Sequence, residues 1–109
     1  MQKVNERECD FRNGDWGVKY FLRGPKIDWG LILLKPGQVM GEHGHKEVEE
    51  TFYFLEGAPT LMVDGRGVQT GQGDVFRLEP PERHDIWNNT DAPVRILFIK
   101  CPYLPNDKT

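Results

Sequence analysis

Apolar and polar residues alternate along this chain in short runs, which end at Gly, Pro or Asn. Eight runs are rich in aromatic and β-branched residues and recur at roughly ten-residue spacing. They span residues 18–23, 29–34, 51–56, 60–63, 68–70, 74–78, 84–88 and 94–100. Asp64-Gly65 lies between two of them and is a strong signal for a hairpin turn. The pattern predicts an all-β barrel or sandwich.

One segment also has charges that suit a helical face, residues 42–54. Gly41 and Gly44 interrupt its start, and the Thr-Phe-Tyr-Phe run from Thr51 favours a strand. The segment is therefore predicted to be strand, loop and strand. Residues 1–16 and 103–109 are predicted to be arms around a core at about 29–100, and such arms need partners to be ordered.

Length and charge limit the possible functions. A chain of 109 residues with 38% apolar residues has enough material for a single domain. Its net charge of −3 argues against nucleic-acid binding, which needs a basic surface. The longest apolar run, Leu31–Leu34, is far too short to cross a membrane, and the first residues contain no apolar signal segment. We therefore expect a cytoplasmic protein with two reduced cysteines.

The chain has three histidines, and their spacing indicates a metal site. His43 and His45 are two residues apart, so in a strand their side chains point to the same face. Glu50 begins the following strand, and His84 begins another. If these strands line one barrel, three imidazoles and one carboxylate meet at one point.

These residues resemble the cupin family. The first cupin motif, G(x)5HxH(x)3-4E(x)6G, is matched by Gly37, His43, His45, Glu50 and Gly57. The second motif, G(x)5PxG(x)2H(x)3N, is matched at Gly73, His84 and Asn88. Glu79 and Pro81 replace its proline and second glycine, so the loop before His84 departs from the family pattern.

The resemblance implies a double-stranded β-helix, or jelly-roll, barrel that holds one divalent metal ion. Its ligands would be His43, His45, Glu50 and His84. Imidazole and carboxylate ligands suit iron, manganese, zinc, nickel or copper rather than calcium or magnesium. Four protein ligands leave two octahedral positions for water, oxygen or a small-molecule substrate.

Strand alternation also predicts the surroundings of the ion. The side chains expected to face inward with the ligands are Phe52, Phe54, Ile86 and Asn88. They predict a mostly apolar substrate pocket, although barrel core is the favoured interpretation of the two phenylalanines. Arg77 and Glu79 are candidates for the pocket rim, with a solvent-exposed ion pair as the alternative.

The opposite face of the same strand carries Thr51, Tyr53 and Leu55. An apolar row on the outside of a small barrel needs a cover. We expect a second subunit, and hence a homodimer, with the N-terminal arm as the alternative cover.

The expected function is that of a metal-dependent cupin with a small-molecule site. No acid or base is predicted beside the ligands, which favours dioxygenase-type oxidation over isomerisation or decarboxylation. A non-catalytic binding or sensor module that uses the same metal is the alternative. A storage or scaffold barrel with a structural metal is a third possibility, because this fold hosts many activities.

Overall fold

The computed structural model describes residues 1–109 and contains eight β-strands and one 3-10 turn, Glu6–Glu8. The strands are β1 Gly17–Arg23, β2 Asp28–Leu34, β3 Glu49–Glu56, β4 Thr60–Val63, β5 Arg66–Gln69, β6 Val75–Leu78, β7 His84–Trp87 and β8 Val94–Cys101. All pairings are antiparallel. One sheet has the order β1-β2-β8-β3-β6, and the other has the order β5-β4-β7. The predicted all-β architecture is confirmed.

The hairpin between β4 and β5 has the geometry that its sequence predicts. Val63 pairs with Arg66, which leaves Asp64 and Gly65 as a two-residue turn. Their φ angles are 50° and 79°, and a type I′ turn requires positive φ at both central residues. The turn therefore sets the register of the smaller sheet.

Two segments without regular strand structure extend the smaller sheet. The peptide N–H groups of Met40 and His43 donate to the carbonyls of Ile86 and His84, so residues 38–43 lie along β7. Gly44 then exchanges two backbone hydrogen bonds with Thr109 in the C-terminal tail. Residues 42–54 are thus an extended segment, a loop and a strand, as predicted.

Apolar side chains fill the space between the two sheets. This core consists of Ile32, Leu34, Phe52, Phe54, Leu61, Leu78, Ile86, Val94, Ile96 and Phe98. Gly57, at the end of β3, has a φ of 85°, and a Cβ atom there would lie 2.5 Å from Val94 Cγ1. The close packing of Gly57 on the core explains why a glycine stands at this motif position.

The N-terminal arm packs on the outer face of the larger sheet. Lys19 Nζ donates to the carbonyl of Glu6, and Arg95 forms an ion pair with the Glu6 carboxylate. These contacts place the arm against β1 and β8. Tyr53 on β3 stays exposed, as does Leu55. No helix in the structure has the length and hydrophobicity needed to cross a membrane.

The uncovered face of the larger sheet leads us to predict a homodimer. Tyr53 lies opposite Leu97 on one side and Val75 on the other, so three apolar side chains form a row across three strands. We expect two copies of the chain to pair through this row and to sediment at twice 12.6 kDa. Tyr53→Lys should weaken the dimer at least tenfold, because it places a charge in an apolar interface.

The matched control is Val68→Lys on β5, an exposed apolar residue on the other sheet. It should leave the sedimentation profile unchanged. A wild-type chain that remains monomeric at high concentration would contradict the prediction.

Candidate metal centre

Four side chains from three parts of the chain meet at one point inside the barrel. His43 and His45 come from the extended segment beside β7, Glu50 from β3 and His84 from the start of β7. The Nε2 atoms of His84, His45 and His43 lie 2.9, 3.1 and 3.5 Å from Glu50 Oε1. All four residues are buried. The structure thus brings together the four residues predicted as ligands.

Glu50 is ionised in this environment. Burial alone raises the pKa of its carboxyl group, because a charge is poorly solvated inside the barrel. Contacts from the three imidazoles and the positive charge of Lys100 outweigh burial and hold the pKa of Glu50 well below its usual range. The centre therefore presents a negative charge in a buried position.

The hydrogen bonds around the cluster fit a bound cation. His43 Nδ1 lies 3.1 Å from the carbonyl of Gly41, which can only accept a hydrogen bond. With an ion bound, Nδ1 of His43 would donate to this carbonyl, which leaves the lone pair of Nε2 for the ion. His43, His45, Glu50 and His84 would hold a divalent ion here through imidazole nitrogens and a carboxylate oxygen.

A residue from the C-terminal tail supports the ligand loop. The buried carboxylate of Asp107 accepts hydrogen bonds from the backbone N–H groups of Lys46, Glu47 and Val48. Asp107 Oδ2 also lies 3.9 Å from Nδ1 of His45. This loop joins His45 to the strand that carries Glu50, so Asp107 holds two ligands in register.

The cluster opens into a cavity of about 220 Å³. His43, His45 and Glu50 lie on its wall, whereas His84 lies behind them. The other lining residues are Arg12, Val18, Tyr20, Arg23, Asp28, Ile32, Met40, Val48, Phe98, Lys100, Pro102, Leu104, Pro105 and Lys108. The cavity is below the range of about 300–1,000 Å³ that is typical of drug-sized ligands, and it fits a small organic molecule.

The residues predicted as the pocket wall do not line this cavity. Phe52, Phe54 and Ile86 do face inward, but they lie in the hydrophobic core and not on the cavity. The ring of Phe52 packs edge-on against His84, with centroids 5.5 Å apart, and so supports a ligand from behind. Asn88 is buried and donates to the carbonyls of Leu34 and Ala92, so it organises a loop.

The two residues predicted as the pocket rim also lie away from the cavity. Arg77 and Glu79 face solvent, with side chains 64% and 60% exposed, and their closest charged atoms are 3.6 Å apart. Neither residue lines the cavity. They form the solvent-exposed ion pair that was the alternative interpretation.

Several of the residues that line the cavity were not singled out from the sequence. Tyr20 and Arg23 lie on β1, and Lys100 lies at the end of β8, outside the two motifs. Arg12 and Lys108 belong to the arms, for which the sequence predicted no role at the site. Only the alternation of β1 and β8 could have indicated that Tyr20 and Phe98 face inward.

The two facing sheets and the internal His3Glu cluster define a double-stranded β-helix protein with a candidate metal site. The family model described as "Cupin domain" matches residues 30–100. The chain belongs to the cupin family.

Known proteins similar to this chain differ in function. The tetracenomycin polyketide synthase protein TcmJ of Streptomyces glaucescens is 30% identical over 76 residues, which cover 70% of this chain and 51% of that protein. The chain thus spans about half the length of this relative. A double-stranded β-helix protein of Klebsiella pneumoniae has a TM-score of 0.84 at 16% identity, covering 100% of this chain and 96% of the other.

A third similar protein is a sugar phosphate isomerase of the cupin superfamily from Silicibacter pomeroyi. Its structure superposes with a TM-score of 0.69 at 27% identity, and the match covers 78% of this chain and 59% of that one. These likenesses establish the family and the fold, and the activities belong to the named proteins.

The cluster predicts how metal binding responds to substitution. His84→Ala should remove most of the metal from protein loaded with one equivalent of Zn²⁺, because it deletes a coordinate bond. Glu50→Gln should reduce metal affinity less, since an amide oxygen still ligates without charge. Glu49→Gln, one residue earlier on β3, is the matched control and should bind as the wild type does. Metal content after dialysis measures each effect, and unchanged content in His84→Ala would falsify the ligand assignment.

The contacts of Asp107 predict an effect on stability that is separate from metal binding. Asp107→Ala should lower the free energy of unfolding by about 2 kcal/mol at pH 7, because it removes the partner of three backbone N–H groups. Burial raises the pKa of Asp107, but the three N–H donors outweigh it and lower the pKa below 3.8. The stabilisation is therefore present above about pH 4 and declines as the pH falls further.

Urea unfolding at several pH values measures this contribution. The control is Asn106→Ala, an exposed neighbour in the same tail. Equal stability of Asp107→Ala and wild type at pH 7 would contradict the role of Asp107.

Proposed function

We propose that the protein is a metal-dependent cupin enzyme that catalyses proton transfer on a small, oxygen-rich organic substrate. The observation that supports this most directly is a tyrosine hydroxyl in the same cavity as the candidate ligands His43, His45 and Glu50. A divalent ion in this cluster would act as a Lewis acid on a substrate carbonyl and make the neighbouring C–H more acidic.

Tyr20 is the candidate proton carrier. Lys100 Nζ donates a hydrogen bond to Tyr20 Oη over 2.9 Å. Because Oη accepts this bond, its own hydrogen stays available to a substrate in the cavity. The hydroxyl can donate its proton to the carbonyl oxygen of a substrate, and the resulting phenolate can take up the proton of the neighbouring C–H, which regenerates the hydroxyl.

The tyrosine is fixed from several sides. Its ring packs edge-on against Phe98, with centroids 5.2 Å apart, and the Arg23 guanidinium lies 3.9 Å from the ring centroid. Asp28 in turn accepts two hydrogen bonds from Arg23. These contacts hold the hydroxyl in place before a substrate arrives, which lowers the cost of orienting it.

A glycine in the neighbouring strand permits this position. Gly30 on β2 pairs with Tyr20, and a Cβ atom at Gly30 would lie 1.9 Å from the carbonyl oxygen of Lys19. The register of the two strands shifts immediately after Tyr20. Such irregularities commonly re-aim a side chain near an active site.

This proposal reverses the order of reaction classes expected from the sequence. Dioxygenase-type oxidation was favoured because no acid or base was predicted near the ion and the pocket was predicted to be apolar. The cavity instead contains Tyr20 and Lys100 beside charged residues. The 27% identical sugar phosphate isomerase gives a precedent for isomerisation in this family. Oxidation and the binding or sensor module become outcomes of the test.

Solvent exchange tests the proposal. Zn²⁺-loaded protein in D2O should exchange the hydrogen next to the carbonyl of a small keto compound, with pyruvate and fructose 6-phosphate as probes, followed by proton NMR. Tyr20→Phe should slow this exchange at least a hundredfold, because general acid–base catalysis contributes about 10²–10⁴ in rate. Tyr53→Phe, on the outer face, is the matched control and should exchange at the wild-type rate.

One result would reject Tyr20 as the proton carrier, and two would reject proton transfer. An unaffected rate in Tyr20→Phe would exclude this residue as the carrier. Oxygen consumption by the iron-loaded protein, without exchange, would support a dioxygenase. Tight binding of probes without any reaction would support the binding or sensor module.

A further inference from the structure

We propose that the natural ligand of the cavity is an organic anion whose acidic group is held by Arg12, Lys100 and Lys108. The inference rests on the proposed function in placing a small molecule at the candidate metal centre. It adds the chemical class of that molecule and a role for both chain ends.

Positive charge is concentrated in this cavity although the chain carries a net charge of −3. Its wall includes the cationic side chains of Arg12, Arg23, Lys100 and Lys108. The only carboxylates on the wall are Asp28 and Glu50. Asp28 is engaged by Arg23, and Glu50 belongs to the candidate metal ligands.

Three of the cations have no anionic partner. No carboxylate oxygen lies within 4.0 Å of a side-chain nitrogen of Arg12, Lys100 or Lys108. Lys100 bonds only to the neutral hydroxyl of Tyr20. Like charges that share a small cavity repel one another, and an anionic group between them removes that repulsion.

The charges of Arg12 and Lys100 act on Lys108, a lysine of the C-terminal tail. Partial burial lowers the pKa of the Lys108 ammonium, and the charges of Arg12 and Lys100 lower it further. Glu50 acts in the opposite direction. Residues from the N-terminal arm, β8 and the C-terminal tail therefore face one shared space.

The arrangement has a deep end and an open end. The candidate metal ligands are buried, with at most 7% of each residue exposed, whereas Arg12 and Lys108 are exposed at the mouth. Apolar side chains lie on the same wall, among them Ile32, Met40 and Phe98. The matching ligand is a short molecule with oxygen atoms for the ion at one end and a carboxylate or phosphate at the other.

Binding of defined probes tests this inference. Zn²⁺-loaded protein should bind malonate and glycolate 2-phosphate in calorimetric titrations. Lys108→Gln and Arg12→Gln should each lower the binding affinity for both probes about tenfold or more. The controls are Lys26→Gln and Arg66→Gln, which change exposed cations outside the cavity and should bind as the wild type does. Comparison of the two probes distinguishes a carboxylate ligand from a phosphate ligand.

Two further titrations separate this inference from the proposed function. Acetylacetone chelates metals but has no acidic group at a far end, so its affinity should be the same in Lys108→Gln and wild type. Inorganic phosphate should bind the metal-free protein and lose affinity in both variants, whether or not the loaded protein is an active enzyme.

The outcomes are distinct. Equal affinity of malonate, glycolate 2-phosphate and phosphate for wild type, Lys108→Gln and Arg12→Gln would overturn the anion site and leave the proposed function standing. Loss of phosphate binding in the variants, together with no hydrogen exchange in the wild type, would support the anion site and reject the proposed function.

Discussion

The site depends on the meeting of three imidazoles with one buried carboxylate oxygen. A carboxylate in this position is costly without compensating charge, and the imidazoles and Lys100 are what keep Glu50 ionised. With an ion bound, Nδ1 of His43 would donate to the carbonyl of Gly41 and leave Nε2 for the ion. The cluster is therefore better explained as a cation-binding site than as part of the hydrophobic core. The surrounding elements keep these four side chains together.

Part of the ligand set was predictable from local geometry, and the full set was implied by the resemblance to the two cupin motifs. The i, i+2 spacing of His43 and His45 directs both side chains to one face of an extended segment, and the motif glycines mark where the flanking strands turn. The eight strands were predictable for the same reason, since alternation and turn residues act over a few positions. The Asp64-Gly65 turn is the clearest example.

The cavity wall was not predictable, because it depends on which end of the barrel is open. Alternation correctly predicts that Glu50, Phe52 and Phe54 share the inner face of β3. Strand alternation does not indicate which end of the barrel is open. The cavity lies at the Glu50 end of the strand, and Phe52 and Phe54 run away from it into the core. The position of a residue along the barrel axis depends on how distant strands pair. No local sequence pattern predicts that pairing.

Most of the charged cavity wall lies outside the segment that defines the family. The family model matches residues 30–100, yet Arg12, Tyr20, Arg23 and Lys108 fall outside it. Residues 30–100 supply all four candidate metal ligands and the core. Strand β1 and the chain ends then add charge and the tyrosine around this centre. Because catalysis requires ligand atoms and substrate-contacting groups together, a shared cupin core can serve different substrates when only its flanking segments change.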